Sequence, residues 1–250
     1  MKFKNKAVLV TGGTRGIGAA CVKAFLSEGA RVAVNGRSED SVNRSLKTFD
    51  GDAFPAPGEI STAVGCQDVV NAALDHLGRL DILVNNAGVF YRRPIEQTDE
   101  TIWDDVMDTN VKGLYFCTRH SLPALRNAKG SVINMASESG LNGYPLTSAY
   151  CASKGAVVNL TRSMAMELAP DVRVNAICPG IIDTDMARDG FAINGDKDEG
   201  MRQQRLSYPL QRIGTVEQIA SAALYLASPD ADFITGAAIP IEGGATAGRW

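Results

Sequence analysis

Tyr150 and Lys154 stand four residues apart in the run Ser148-Ala149-Tyr150-Cys151-Ala152-Ser153-Lys154-Gly155-Ala156, and Ser137 lies thirteen positions upstream. On a helix, side chains at this spacing share a face, so an ammonium would sit beside a phenol. A phenol ordinarily titrates near about 10; a close cation favours the phenolate and lowers that value, each unit being worth about 1.4 kcal/mol. The pair therefore offers proton exchange near neutrality. A purely structural Tyr and Lys on a half-exposed helix would have the same spacing, so the elements that position the pair have to decide.

Composition narrows the choice. The chain has 250 residues, 45% of them hydrophobic, and a formal net charge of -3, enough apolar material for one large domain. Its Lys and Arg residues are dispersed with no dense block, so no nucleic-acid partner is expected. The basic start Met1–Lys6 is followed only by Ala7-Val8-Leu9-Val10, too short for a secretion signal or a span, so no membrane partner and a cytoplasmic location are expected. The five cysteines lack C-x-x-C spacing, and only His76 and His120 accompany them. No metal is expected, and the thiols read as buried small side chains, with Cys151 the one to watch beside Tyr150.

Short β-rich runs alternate with longer amphipathic ones. Ala7–Thr11, Ala30–Asn35, Leu80–Asn85, Ser131–Met135, Val172–Ile177 and Ala238–Ile241 read as strands; Ile17–Glu28, Ala63–Leu77, Thr101–Leu125, Tyr150–Leu168 and Val216–Ala227 read as helices. This βα alternation predicts an α/β, doubly wound parallel sheet with helices on both faces, as a single domain over residues 1–250. Asp99 is positioned to cap the long helix and Pro123 lies near its end. Met186–Leu210 carries Gly190, Gly195 and Gly200 among charged residues; it reads equally as a mobile insertion and as a substrate lid.

Thr11-Gly12-Gly13-Thr14-Arg15-Gly16-Ile17-Gly18 follows the first strand and opens the first helix. Glycines there permit a tight turn and close backbone approach to a pyrophosphate, whose charge the helix N-terminus favours. The G-K-[ST] of an ATP loop is missing. The second strand ends Val34-Asn35-Gly36-Arg37-Ser38 without an acid at its tip. Arg15 and Arg37 are placed to flank a ribose 2′-phosphate, so NADP is expected; Glu39 and Asp40 keep NAD as the alternative.

In this order of motifs the chain resembles the short-chain dehydrogenase/reductase family over nearly its whole length: the Thr11–Gly18 turn, Asn85-Asn86-Ala87-Gly88, Asn110, Ser137, Tyr150 with Lys154, and Pro179-Gly180 with Thr184. The resemblance implies a Rossmann-type sheet of about seven strands. It also implies a homotetramer built partly on the helices around 101–125 and 150–168, with a homodimer as the alternative. Asn86, Ala87 and Gly88 would border the cofactor, and Pro179, Gly180, the Ile182 backbone and the Thr184 hydroxyl would meet the nicotinamide. Where family members often carry Asp-Val beside the adenine, this chain has Glu59-Ile60 after Pro55-Ala56-Pro57-Gly58.

The implied reaction moves a hydride between nicotinamide and the carbon of a secondary alcohol or ketone. Ser137 would bond the substrate oxygen, Tyr150 would exchange its proton, and Lys154 would hold the ribose and favour the tyrosinate. By the same resemblance Asn110 would hold a water linking Lys154 to solvent. Candidate substrate walls are Val89, Phe90, Glu138, Leu141, Tyr144 and residues from Met186 to Leu206, suiting a small sugar, polyol or cyclic carbonyl, with a hydroxy acid derivative also compatible. Arg92 and Arg93 keep a 3-oxoacyl thioester as the main alternative, and a noncatalytic dinucleotide-binding protein is the rival outside enzymology. A Ser137–His120 hydrolase is a poor fit, since no G-x-S-x-G elbow is present.

Overall fold

A computed structural model describes residues 1–248. Seven strands form one parallel sheet: β1 Ala7–Val10, β2 Arg31–Gly36, β3 Ala53–Pro57, β4 Ile82–Asn85, β5 Ser131–Met135, β6 Arg173–Pro179 and β7 Ala238–Ile241, in the order β3-β2-β1-β4-β5-β6-β7. β1, β4 and β5 are buried along their full length, which is why they read as apolar runs rather than as alternations. Alternation still sorts their side chains between two cores. Ala7 and Leu9 join Leu83, Val132 and Val174 on one face, while Val8 and Val10 join Val84, Ile133 and Ile177 on the other.

The first core is covered by α3 Ala63–Leu77, α5 Leu114–Ala128 and α6 Ser148–Leu168; α1 Gly16–Ser27 and α9 Val216–Ala227 cover the second. The chain winds outward from β1 to β3, then returns to lay β4 against the other edge of β1. Strand order reverses there, and in open α/β sheets ligands bind outside the carboxyl ends of the strands at such a point.

Three elements depart from the sequence expectation. β3 contains Pro55 and Pro57, which argue against a strand, yet it is the sheet's edge, where a missing N–H costs no ladder bond. The helix expected over 101–125 is not one regular helix: α4 Glu100–Met107 passes through a π-helical turn, Asp108–Gly113, into α5. Asp99 does cap α4, accepting from the Ile102 N–H at 2.9 Å, but Pro123 lies inside α5, which continues to Ala128. Polar α2, Glu39–Leu46, buries only Val42 and Ser45 and has no apolar stripe to announce it.

The glycine-rich segment 186–210 is built around two short helices, α7 Asp185–Gly190 and α8 Lys197–Arg205. Its Met201 and Tyr208 are buried. No helix among the described residues is long and apolar enough to cross a membrane.

Candidate active site

The cofactor turn is held by bonds its own sequence supplies. Thr11 Oγ1 accepts from the N–H groups of Asn86 at 3.0 Å and Ala87 at 3.1 Å. The Asn86 amide donates to the carbonyls of Thr11 and Gly12, both at 3.0 Å. A Cβ at Gly18 would lie 2.2 Å from the Gly12 carbonyl oxygen and 2.5 Å from Asn86 Nδ2, so only glycine lets α1 close on the turn. Gly12 and Gly16 have φ of 61° and 54°, where side chains are strained. α1 carries no acidic residue in its first turn, leaving its positive end free for a phosphate.

Around this turn the predicted cofactor residues take distinct places. Thr14 packs against the end of β2 at Gly36, Ile17 packs into the α1–α9 core, and Arg15 and Arg37 are exposed. Asn35 at the β2 tip is spent on structure: its Oδ1 accepts from the Gly12 N–H at 3.2 Å, and its amide donates to Ala56 and Gly58 carbonyls at 2.9 and 3.1 Å. Glu39 and Asp40 lie in the first turn of α2, capped by Ser38. Glu59 is exposed and folds back to the Ser61 N–H at 3.2 Å. The Ile60 side chain is buried against Gly113 of the π-helical turn. These glycine contacts, the free helix end and the exposed arginines fit a dinucleotide, with the turn and α1 to hold its pyrophosphate.

The turn meets the loop after β6. A Cβ at Gly16 would lie 3.4 Å from Thr184 Cγ2. Thr184 Oγ1 donates to the Ile182 carbonyl and accepts from the Ala187 N–H, both at 3.3 Å, capping α7. Pro179 is buried at the end of β6, Gly180 donates to the Ile241 carbonyl at 3.0 Å, and Ile182 is buried beside Gly214.

The four predicted catalytic side chains lie about the loop that follows β4. Lys154 is 4% exposed; its Nζ donates to the Met135 carbonyl at 2.8 Å and lies 5.6 Å from the centre of the Tyr150 ring. A Cβ on Gly88 would lie 3.6 Å from that Nζ and 3.0 Å from Asn110 Oδ1, so both side chains border the same loop. Asn110, 1% exposed in the π-helical turn, accepts from the Val89 N–H at 2.8 Å and donates to the Val89 carbonyl and to Ser153 Oγ. Ser153, which the sequence reading passed over, donates in turn to the Tyr150 carbonyl at 2.8 Å. Ser137 accepts from the Ser139 N–H at 3.1 Å while its hydroxyl faces that of Tyr150.

Electrostatics here run against the expectation of a lowered phenol. Burial pushes Tyr150 up to about 12, opposed by the hydrogen bond with Ser137 and reinforced by the neighbouring Cys151 and Glu138. Burial likewise brings Lys154 down to about 8. In the folded chain, desolvation of the phenolate therefore outweighs the one influence that favours it, the hydrogen bond with Ser137. The remaining walls are aromatic and acidic. Phe90 sets its ring edge against Tyr150 at 4.8 Å and meets Phe191 of the 186–210 segment at 5.8 Å; the Arg92 guanidinium lies 5.7 Å over Phe191. Glu138 is buried and bonded to Tyr208, a residue just past the predicted wall. Among the described residues no His, Cys, Asp and Glu cluster of three or more is arranged to hold a metal ion.

This arrangement has counterparts. A family model described as enoyl-(acyl carrier protein) reductase matches residues 12–246. The chain is 37% identical to meso-2,3-butanediol dehydrogenase of Serratia marcescens over 249 residues, covering 99% of this chain and 97% of the relative. It is 38% identical to 2-(S)-hydroxypropyl-CoM dehydrogenase 3 of Xanthobacter autotrophicus over 252 residues, 98% of each. It is also 37% identical to a 3-oxoacyl-[acyl-carrier-protein] reductase of Staphylococcus aureus over 245 residues, covering 96% and 97%.

Proposed function

The chain belongs to the short-chain dehydrogenase/reductase family, whose general activity is NAD(P)-dependent oxidoreduction, and from that premise we propose an NADP-dependent enzyme interconverting a small secondary alcohol and its ketone. The substrate class is a small sugar, polyol or cyclic carbonyl. The observation that carries this reading is the convergence of Lys154 and Asn110 on Gly88, with the Tyr150 ring 5.6 Å from the Lys154 ammonium and Ser137 facing its hydroxyl.

A bound nicotinamide supplies or takes up the hydride. The Ser137 hydroxyl donates to the substrate oxygen and holds it against Tyr150. In reduction the Tyr150 hydroxyl gives its proton to that oxygen as negative charge develops; in oxidation the phenolate takes it back. A positioned acid or base of this kind contributes about 10²- to 10⁴-fold. Lys154 holds the ribose hydroxyls and stabilises the phenolate, and Asn110 fixes the loop at Gly88 and Val89 that borders it. Gly12, Gly16, Gly18 and the α1 N-terminus hold the pyrophosphate, while exposed Arg15 and Arg37 receive the 2′-phosphate.

The 186–210 segment serves as the substrate lid, seated on Phe90 through Phe191. The chain assembles as a homotetramer through α4, α5 and α6, where Trp103, Tyr115 and Met166 expose apolar surface. A second reading, a 3-oxoacyl thioester reductase, is favoured by exposed Arg92 and Arg93. The test follows reduced-nicotinamide absorbance with NADPH or NADH against sugars, cyclic ketones and acyl thioesters. Consumption of NADPH with a small hydroxylated carbonyl is expected. Turnover confined to acyl thioesters selects the second reading, and no turnover of either cofactor refutes both in favour of a noncatalytic dinucleotide-binding protein.

A further inference from the structure

Glu138 follows the proposed substrate-binding serine directly, and its carboxyl is only half satisfied. The residue is 7% exposed; Oε1 accepts from the Tyr208 hydroxyl at 2.7 Å, while Oε2 is enclosed with no well-formed hydrogen bond, the Tyr144 hydroxyl being the donor at hand. Tyr208 accepts in turn from the Ile181 N–H at 2.7 Å, so the carboxyl is anchored from the loop beyond β6. The groups close enough to act on it are hydroxyls and a second carboxyl, Tyr144, Tyr208 and Glu242. It also acts on Tyr150 itself. None of these is a cation.

A buried acceptor left unpaired is costly, and burial pushes this carboxyl up to about 7. A hydrogen-bond donor would complete it, and Glu138 directly follows Ser137 and is close enough to act on Tyr150. Tyr144 covers this carboxyl, its hydroxyl close enough to hydrogen-bond it; the residue is half-buried on the otherwise largely exposed 141–147 turn, next to Gly143, which has open space around it.

We propose that Glu138 Oε2 accepts a hydrogen bond from a substrate hydroxyl on the carbon adjacent to the reacting one, so that the substrate is an α-hydroxy ketone or the corresponding vicinal diol. This rests on the oxidoreductase reading above and narrows its substrate class. Ser137 holds the reacting oxygen, Glu138 one residue on holds its neighbour, and Tyr144 swings aside to admit the second hydroxyl. A carboxylate at this position also disfavours anionic substrates.

The test compares 3-hydroxy-2-butanone with 2-butanone, using the full chain with its preferred cofactor. The wild-type kcat/KM should favour the hydroxy ketone by about ten- to a hundredfold, the range expected for a hydrogen bond to a charged group. The readout is this ratio, whatever loss is common to both ketones. Glu138→Leu should collapse it to within about threefold; Glu138→Gln, which keeps an acceptor oxygen and guards against a misfolded Leu variant, should retain part of it. Equal kcat/KM for the two ketones in the wild type, or an undiminished ratio in a folded Glu138→Leu, overturns the inference while leaving the enzyme reading intact. Reduction of neither ketone nor any other carbonyl overturns both.

Discussion

Replacing Asn110 by leucine removes a clamp whose strength follows from its bonds. The side chain is 1% exposed and makes three hydrogen bonds: from the Val89 N–H at 2.8 Å, to the Val89 carbonyl at 3.0 Å and to Ser153 Oγ at 3.1 Å. At a net value of about 1 kcal/mol each, with Ser153 left partly unpaired in the interior, Asn110→Leu should destabilise the fold by about 3–5 kcal/mol. A domain has about 5–15 kcal/mol to lose, so the variant should fold with a lowered urea midpoint and an unchanged m-value. The loop at Gly88 should loosen with it, weakening NADPH binding measured by nicotinamide fluorescence. Urea titration followed by circular dichroism reads the stability. A loss below about 1 kcal/mol, with cofactor affinity unchanged, would refute the view that this residue ties the loop after β4 to α6.

Three further outcomes are expected. Gly18→Ala should abolish tight cofactor binding in titrations, because its Cβ would fall 2.2 Å from the Gly12 carbonyl oxygen; wild-type affinity would contradict the closed turn. Arg37→Asp should weaken NADPH binding selectively, and equal losses for NADPH and NADH would remove the 2′-phosphate assignment. Lys154 titrates at about 8 in the folded chain against an ordinary 10.5. Between those values the unfolded chain binds a proton that the folded chain does not, so this group's contribution to stability rises with pH. Urea unfolding at several pH values should show that slope in the wild type and its loss in Lys154→Met; identical slopes would contradict the buried ammonium.

The sequence carries the site better than it carries the site's electrostatics. Motif order and spacing place the Gly12–Gly18 turn, the loop at Gly88 and the Tyr150–Lys154 pair, because each depends on residue type and local periodicity. Burial is not local, so the rise of Tyr150 to about 12 could not be read from a lysine four residues away. β3 is missing from the residue pattern because its prolines are tolerated only at an edge, a fact of topology; only the family resemblance implies a third strand before Glu59. α2 had the signal of a Ser38 cap with Glu39 and Asp40 behind it, but no apolar stripe. The π-helical turn around Asn110 interrupts a continuous amphipathic run without a proline to announce it. Glu138 could be named as a wall, but its half-satisfied carboxyl depends on Tyr208, seventy residues away.

The most direct measurement is single-turnover reduction by Tyr150→Phe with NADPH and a confirmed ketone. The substitution keeps the ring that packs at 4.8 Å against Phe90 and deletes only the hydroxyl. Turnover should fall by about 10²-fold or more, with NADPH affinity close to that of the wild type. A folded, cofactor-binding Tyr150→Phe that turns over at a comparable rate would contradict the assignment of the proton to this phenol.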